Sequence, residues 1–267
     1  MSSTYQEYRP APALTPFVEC YWSRASGAAA GEGPAHSVLP DGCMDIVFNF
    51  GEVWTSAGHN GSPLRRGIRG GAVVGTMTAP LVVSPGAGED FFGVRFRPGM
   101  APAFLRARAA EFTDSAVPLD QVWGRGGAAL SDELAAAQSA RRRVARLERE
   151  LLLRLADARP PEPCVAAALH FISRGRGAVS IRAACQFAGV TRQHLARRFA
   201  EHVGVPPKLF ARVARFQGLL AGLRCARPVG WSEAAAHAGY YDQSHLIADF
   251  RQFAGTTPER FLASRSA

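Results

Sequence analysis

The sequence predicts an α+β chain of two domains, a β-rich N-terminal one with some helices and an all-helical C-terminal one. Three observations carry this expectation. Pro160-Pro161-Glu162-Pro163 interrupts two helical patterns, because proline fixes φ and biases its predecessor away from the helix. Upstream, Gly and Pro punctuate short apolar runs that alternate with period two. Downstream, apolar residues take helical spacing, and one helical-hairpin pattern occurs twice. The expected division is 1–157 and 158–267, in a chain of 267 residues that is 47% hydrophobic and 20% charged.

In the first part, Met44 to Phe50 alternates, with Ile46, Phe48 and Phe50 on one face. Phe92 to Arg97 alternates again, setting Phe92, Val94 and Phe96 against Arg95 and Arg97. Val73-Val74 and Leu81-Val82-Val83 are shorter strand candidates, and such a set favours a sandwich or small barrel. A helix is expected from Met100 to Arg108, after Pro98. Ser131 to Asp157 reads as one helix whose stripe is Val144, Leu147, Leu151 and Leu155. That stripe is either core packing or a dimer contact, since both need the same periodicity.

In the second part, Ser180 and Thr191 are helix caps on either side of a turn at Gly189. The helix after Thr191 turns Leu195 and Phe199 inward and leaves Gln193 and Arg197 outside. The echo has its turn at Gly239 and its cap at Asp242, with Leu246, Phe250 and Phe253 inward. A helix from Lys208 to about Leu223 bridges the two units.

Charge separates the two parts as sharply as periodicity does. Residues 1–157 carry 16 basic and 16 acidic side chains, whereas 158–267 carry 15 and 6. The whole net charge of +9 therefore lies beside the paired hairpins, which favours a polyanion over the two other uses of a basic face, meeting a membrane surface or keeping a protein soluble. No apolar run approaches the ~20 residues of a membrane helix, and no signal peptide opens the chain, so a cytoplasmic protein without membrane partners is expected. Five scattered cysteines, Cys20, Cys43, Cys164, Cys185 and Cys225, form neither a disulfide framework nor a zinc ribbon.

Catalytic signatures are missing. The seven histidines make neither H-x-H nor H-E-x-x-H, and there is no phosphate loop and no nucleophile elbow. His36, Asp41, Cys43, Asp45 and His59 can be imagined around a metal, but turn carboxylates and isolated histidines account for them. No cofactor, no metal and no catalytic residue are expected.

The last 110 residues resemble the DNA-binding domain of AraC-family transcription regulators. Gly189-Val190-Thr191, Leu195 to Phe199, Gly204, Gly239 to Leu246, Phe250 and Gly255 to Phe261 carry the resemblance. It implies two helix-turn-helix units that enter successive major grooves of double-stranded DNA. It also implies an N-terminal sensor or dimerisation domain, commonly a cupin-like barrel, with a small-molecule effector, a homodimer and, for an activator, RNA polymerase as partners. Leu39 to Phe50 and Gly93 to Gly99 resemble an uncharacterised sensor subgroup that brings no ligand with it. A repair-protein branch of the family needs four zinc-binding cysteines, and only Cys20 and Cys43 precede the proline break.

The family's base-reading positions fall on Gln193, Ala196 and Arg197 in the first unit; the second unit departs from the family's usual form, and Gln243, Ser244 and His245 are its base-reading candidates because they can hydrogen-bond to DNA. Glutamine pairs with adenine and arginine with guanine in the major groove. Arg192, Arg198 and Arg251 are phosphate candidates; Arg212 and Arg215 are expected either at phosphate or between helices. Ala248 cannot read a base, and Asp249 repels phosphate unless tied to Arg251 or turned away. Arg95 is the candidate for an anionic effector if its strand face lines a lumen rather than the surface. Two other readings remain open, a β-barrel enzyme fused to a DNA-targeting module and a ligand-independent dimeric regulator.

Overall fold

The structure is a computed structural model that describes residues 4–26, 36–51, 55–58, 65–66, 70–84, 89–225 and 230–266. Its N-terminal part contains strands β1 (Thr4–Tyr8), β2 (Val18–Ala25), β3 (His36–Val38), β4 (Met44–Asn49) and β5 (Thr55–Gly58). These are followed by β6 (Arg65–Arg66), β7 (Gly70–Val74), β8 (Leu81–Ser84), β9 (Asp90–Phe96) and β10 (Ala116–Pro118). They form a six-stranded antiparallel sheet in the order β1-β2-β9-β4-β7-β10 and a four-stranded one in the order β3-β8-β5-β6.

The register of β4 on β9 follows from side-chain alternation. Met44 lies opposite Phe96, Ile46 opposite Val94 and Phe48 opposite Phe92, so all six apolar side chains share one face. That face is buried against α1 (Pro102–Leu105), α2 (Leu119–Trp123), α3 (Arg125–Ala136) and α4 (Ala140–Leu155). Leu147 and Leu151 are fully buried in this core, and Val144 and Leu155 pack on it. The α4 stripe is core, which removes it as a dimer contact.

Two helix expectations are corrected. The segment from Met100 shrinks to Pro102–Leu105, because Arg106 turns left-handed at φ 55° and ends it. Ser131–Asp157 is two helices, since Ala137 is extended and Ser139 accepts the Arg142 amide to cap α4.

Beyond the prolines come α5 (Pro163–Arg174), α6 (Ile181–Ala188), α7 (Arg192–Val203) and α8 (Pro207–Cys225). The chain ends with α9 (Trp231–His237), α10 (Gln243–Ala254) and α11 (Pro258–Ser266). Two apolar cores share α8. Phe210 enters the first with Leu169, Leu195 and Phe199; Phe216 and Leu220 enter the second with Leu246, Phe250 and Phe253.

The β-rich part grips the first helical core directly. The buried Thr76 hydroxyl donates to the Val203 carbonyl at 2.7 Å, and Thr113 donates to the Gly204 carbonyl at 2.7 Å. Both acceptors sit where α7 ends, carbonyls that a helix leaves unsatisfied. Gly42 has φ +83°, and a Cβ there would lie 2.7 Å from the Phe210 ring. Gln217 on α8 donates to the Pro40 carbonyl at 2.6 Å.

Candidate nucleic-acid interface

The two hairpins share a glycine turn and a side-chain cap on their second helix, whereas only the first hairpin caps its first helix with a side chain. In the first, the Ser180 hydroxyl accepts the Ala183 amide at 3.1 Å, and Gly189 turns at φ +67°. The Thr191 hydroxyl then accepts the His194 amide at 3.2 Å and starts α7. In the second, Gly239 turns at φ +76°, and the Asp242 carboxylate accepts the His245 amide at 2.8 Å to start α10. Both left-handed turns fall on glycine, the residue without a steric penalty there.

On α7, Leu195 and Phe199 face the core while Arg192, Gln193 and Arg197 are exposed and Ala196 is half-buried. The four-residue spacing of Gln193 and Arg197 puts them on one outer face. On α10 only Ser244 stands free and exposed among the three candidates. The Gln243 side-chain Oε1 accepts the Ser232 hydroxyl at 3.0 Å, and His245 Nε2 lies 3.3 Å from Arg215 Nη2. Arg251 is exposed and has no ion-pair partner among the described residues.

Three arginines expected at phosphate are instead engaged by protein carboxylates. Arg198 is paired with Glu162 and Glu201 on the side of α7 that meets α5. Arg212 donates to Asp249 Oδ1 through Nε at 3.0 Å and Nη2 at 2.6 Å. Arg215 approaches Asp249 Oδ2 at 3.5 Å and covers the Tyr240 ring at 4.3 Å. Asp249 is 0% exposed, so it neither faces DNA nor pairs with Arg251. Burial also pushes the Tyr240 phenol up, with Asp249 adding to the effect. Of the two expectations for Arg212 and Arg215, the helix-pair one describes the structure.

The two units enclose an open groove of about 950 Å³ beside the Gly189 turn. Arg182, Arg192, Lys208, Arg212, Arg215 and His245 line it, giving a concave surface with a strongly positive bias. Sequence reasoning missed Lys208 and Arg182. Lys208, Arg212 and Arg215 recur at i, i+4 and i+7 along α8, a stripe visible in the sequence itself.

In the β-rich part Arg95 is held by Asp45 at 3.2 Å and Asp41 at 3.5 Å, and it is only partly accessible. Two carboxylates on one guanidinium balance its charge, so an anion at Arg95 would have to compete with Asp41 and Asp45. Arg97 is exposed and donates to the Thr15 carbonyl at 2.9 Å. Of the imagined metal set, His59 and the side chain of His36 lie outside the described residues. Cys20, Cys43, Cys164 and Cys185 are free thiols, and no described helix is long and apolar enough to cross a membrane.

Comparison with known proteins adds two family matches. Residues 184–264 match the model of a helix-turn-helix domain, and residues 6–118 match a domain of unknown function, DUF6597. No curated protein sequence matches the chain. Among solved structures, ToxT from Vibrio cholerae is similar with a TM-score of 0.47 and 8% identity, over 91% of this chain and 97% of that one. The AraC-like transcriptional activator CuxR gives 0.26 and 12%, over 82% and 86%. The xylose-binding transcription activator XylR gives 0.33 and 21%, over 47% and 39%.

Proposed function

We infer that this chain, which carries an AraC-type helix-turn-helix domain at its C-terminus, regulates transcription by reading DNA sequence mainly through α7. Gln193 and Arg197 would face base edges, with Ala196 close to the groove floor, and Arg192, Arg251 and Lys208 would meet phosphate. The observation that carries this reading is the exposed Gln193–Arg197 pair at the start of a capped helix, bordered by the basic groove. The second unit contributes Ser244, with Gln243 and His245 available only after leaving their present partners.

Residues 1–157 would act as the effector-sensing or dimerising part and 158–267 as the DNA-binding part, with no turnover of a substrate. An activator would also need RNA polymerase as a partner. Effector recognition would rest on groups other than Arg95, whose charge is spent on Asp41 and Asp45.

Selection of bound sequences from a random duplex pool by the full chain tests this reading. The expected outcome is one motif whose strongest positions form a single block about one major groove long, with weaker preference one helical turn, about 10 base pairs, away. Binding without any enriched motif would overturn it.

A further inference from the structure

Glu162, Cys164 and His194 converge where the proline-rich segment meets the DNA-reading helix. Glu162 is the residue before α5, Cys164 lies in the first turn of α5, and His194 lies in the first turn of α7. Cys164 Sγ is 3.9 Å and His194 Nε2 4.0 Å from the same oxygen, Glu162 Oε2. All three ligand atoms lie within 4.8 Å of one another. In a tetrahedral zinc site with legs of about 2.0–2.3 Å, neighbouring ligand atoms stand about 3.3–3.7 Å apart. Side-chain adjustments of about an ångström or less close that gap.

The donor set discriminates among cations. A thiolate and an imidazole beside one carboxylate suit zinc or cobalt and not calcium or magnesium, which take oxygen ligands. Charge agrees with a divalent ion. Glu162 and Glu201 bring two negative charges around the single guanidinium of Arg198, whose Nε donates to Glu162 Oε2 at 2.7 Å, so the cluster is net negative before any ion binds. Arg198 then plays the outer part that hydrogen-bonded partners of ligating carboxylates play elsewhere, fixing the carboxylate's orientation.

We propose that Glu162, Cys164 and His194 form a three-ligand site for a zinc-class divalent cation, with water in the fourth position. The ion would tie the start of α5 to the first turn of α7. His194 directly follows Gln193 and precedes Arg197 by three residues, so the ion would hold the rotation of the base-reading face. The site does not depend on the identity of the DNA sequence read.

Cobalt(II) titration of the reduced full-length chain tests it. The expected result is one equivalent bound with a thiolate-to-cobalt charge-transfer band, displaced by zinc. Cys164→Ser should abolish that band and His194→Gln should weaken cobalt binding at least tenfold, while Cys43→Ser should leave both unchanged. His194 is partly exposed, so His194→Gln keeps the test intact should Cys164→Ser fail to fold. A wild-type chain without the charge-transfer band, a band surviving Cys164→Ser, or unchanged affinity in His194→Gln would each overturn the proposal.

Discussion

Asp249 on α10 accepts two hydrogen bonds from Arg212 on α8, at 3.0 and 2.6 Å, and thereby joins the bridging helix to the second helix of the second hairpin. The carboxylate is fully buried, whereas Arg212 and Arg215 keep 26% and 12% of their side chains accessible. Removing the acid leaves two guanidiniums facing a buried void. Asp249→Ala should therefore cost about 3–5 kcal/mol of stability in chemical denaturation, the usual penalty for breaking a buried pair from one side. Asp249→Asn, which keeps an acceptor for Arg212, should recover part of that loss. A cost below about 1 kcal/mol for the alanine variant would show that the pair does not hold the helices together.

The same relationship separates two kinds of arginine in DNA binding. Arg192 is exposed at the start of α7, so Arg192→Ala should weaken all sequences alike and flatten the salt slope by about one unit. Arg212→Ala should instead lower stability and leave the slope close to wild type, because its guanidinium is turned to Asp249 and not to a phosphate. Titrations at several salt concentrations distinguish them, and equal slope changes for both variants would contradict the assignment.

Coupling between the β-rich part and α7 has a specific anchor in the Thr76–Val203 hydrogen bond. Thr76→Val keeps the shape but leaves a buried helix-end carbonyl unsatisfied, at a cost of about 1–3 kcal/mol. Hydrogen exchange should then speed up at the Gly204 amide, which closes the last turn of α7 on Phe199, more than in α10. Uniform acceleration along the whole chain would mean that the contact supports global stability alone.

Leu147 and Leu151 are both fully buried beneath the six-stranded sheet. Leu147→Ala should destabilise the chain by about 2–5 kcal/mol, as a cavity in a packed core does. Charged residues at both positions should unfold the β-rich part and not release folded monomers. Folded monomers in sedimentation, with native circular dichroism, would restore the dimer reading of this stripe.

How much of the fold is legible in the sequence depends on whether a feature is local. Period-two alternation sufficed to put Ile46 and Phe48 on one face and Phe92, Val94 and Phe96 on one face, because side-chain direction in a strand is set by the backbone, whereas the pairing of the two strands was not readable. Caps at Ser180, Thr191 and Asp242 and the glycine turns were equally readable, since each is complete within four residues. The split at Ser139 was missed because Ala-rich flanks satisfy helical propensity on both sides of a cap. Charge partners were not readable. Arg198, Arg212 and Arg215 look like phosphate ligands in a basic sequence until α5 and α10 bring Glu162 and Asp249 to them. Asp249 did carry a signal, lying three residues after Leu246 and four before Phe253 on the inward stripe of α10.

The two reading helices differ in what they leave unoccupied, and that difference makes the sharpest prediction. Gln193 and Arg197 on α7 are exposed and project from one face, whereas Gln243 and His245 on α10 are already engaged by Ser232 and Arg215. Arg197→Ala should cost about 1–3 kcal/mol at the selected site and relax preference at one base position, the effect expected where a bidentate guanine contact is removed. Ser244→Ala should cost less, and Ala248→Ser should leave sequence preference unchanged, since the exposed Ala248 has no polar group to lose. Base-preference profiles of the three variants decide the ranking. Arg197→Ala without effect, together with collapsed specificity in Ser244→Ala or Gln243→Ala, would place the reading in α10. The hydrogen bonds now holding Gln243 and His245 would then have to break on binding, and their rupture would appear as a slower association rate in the wild type than in Ser232→Ala.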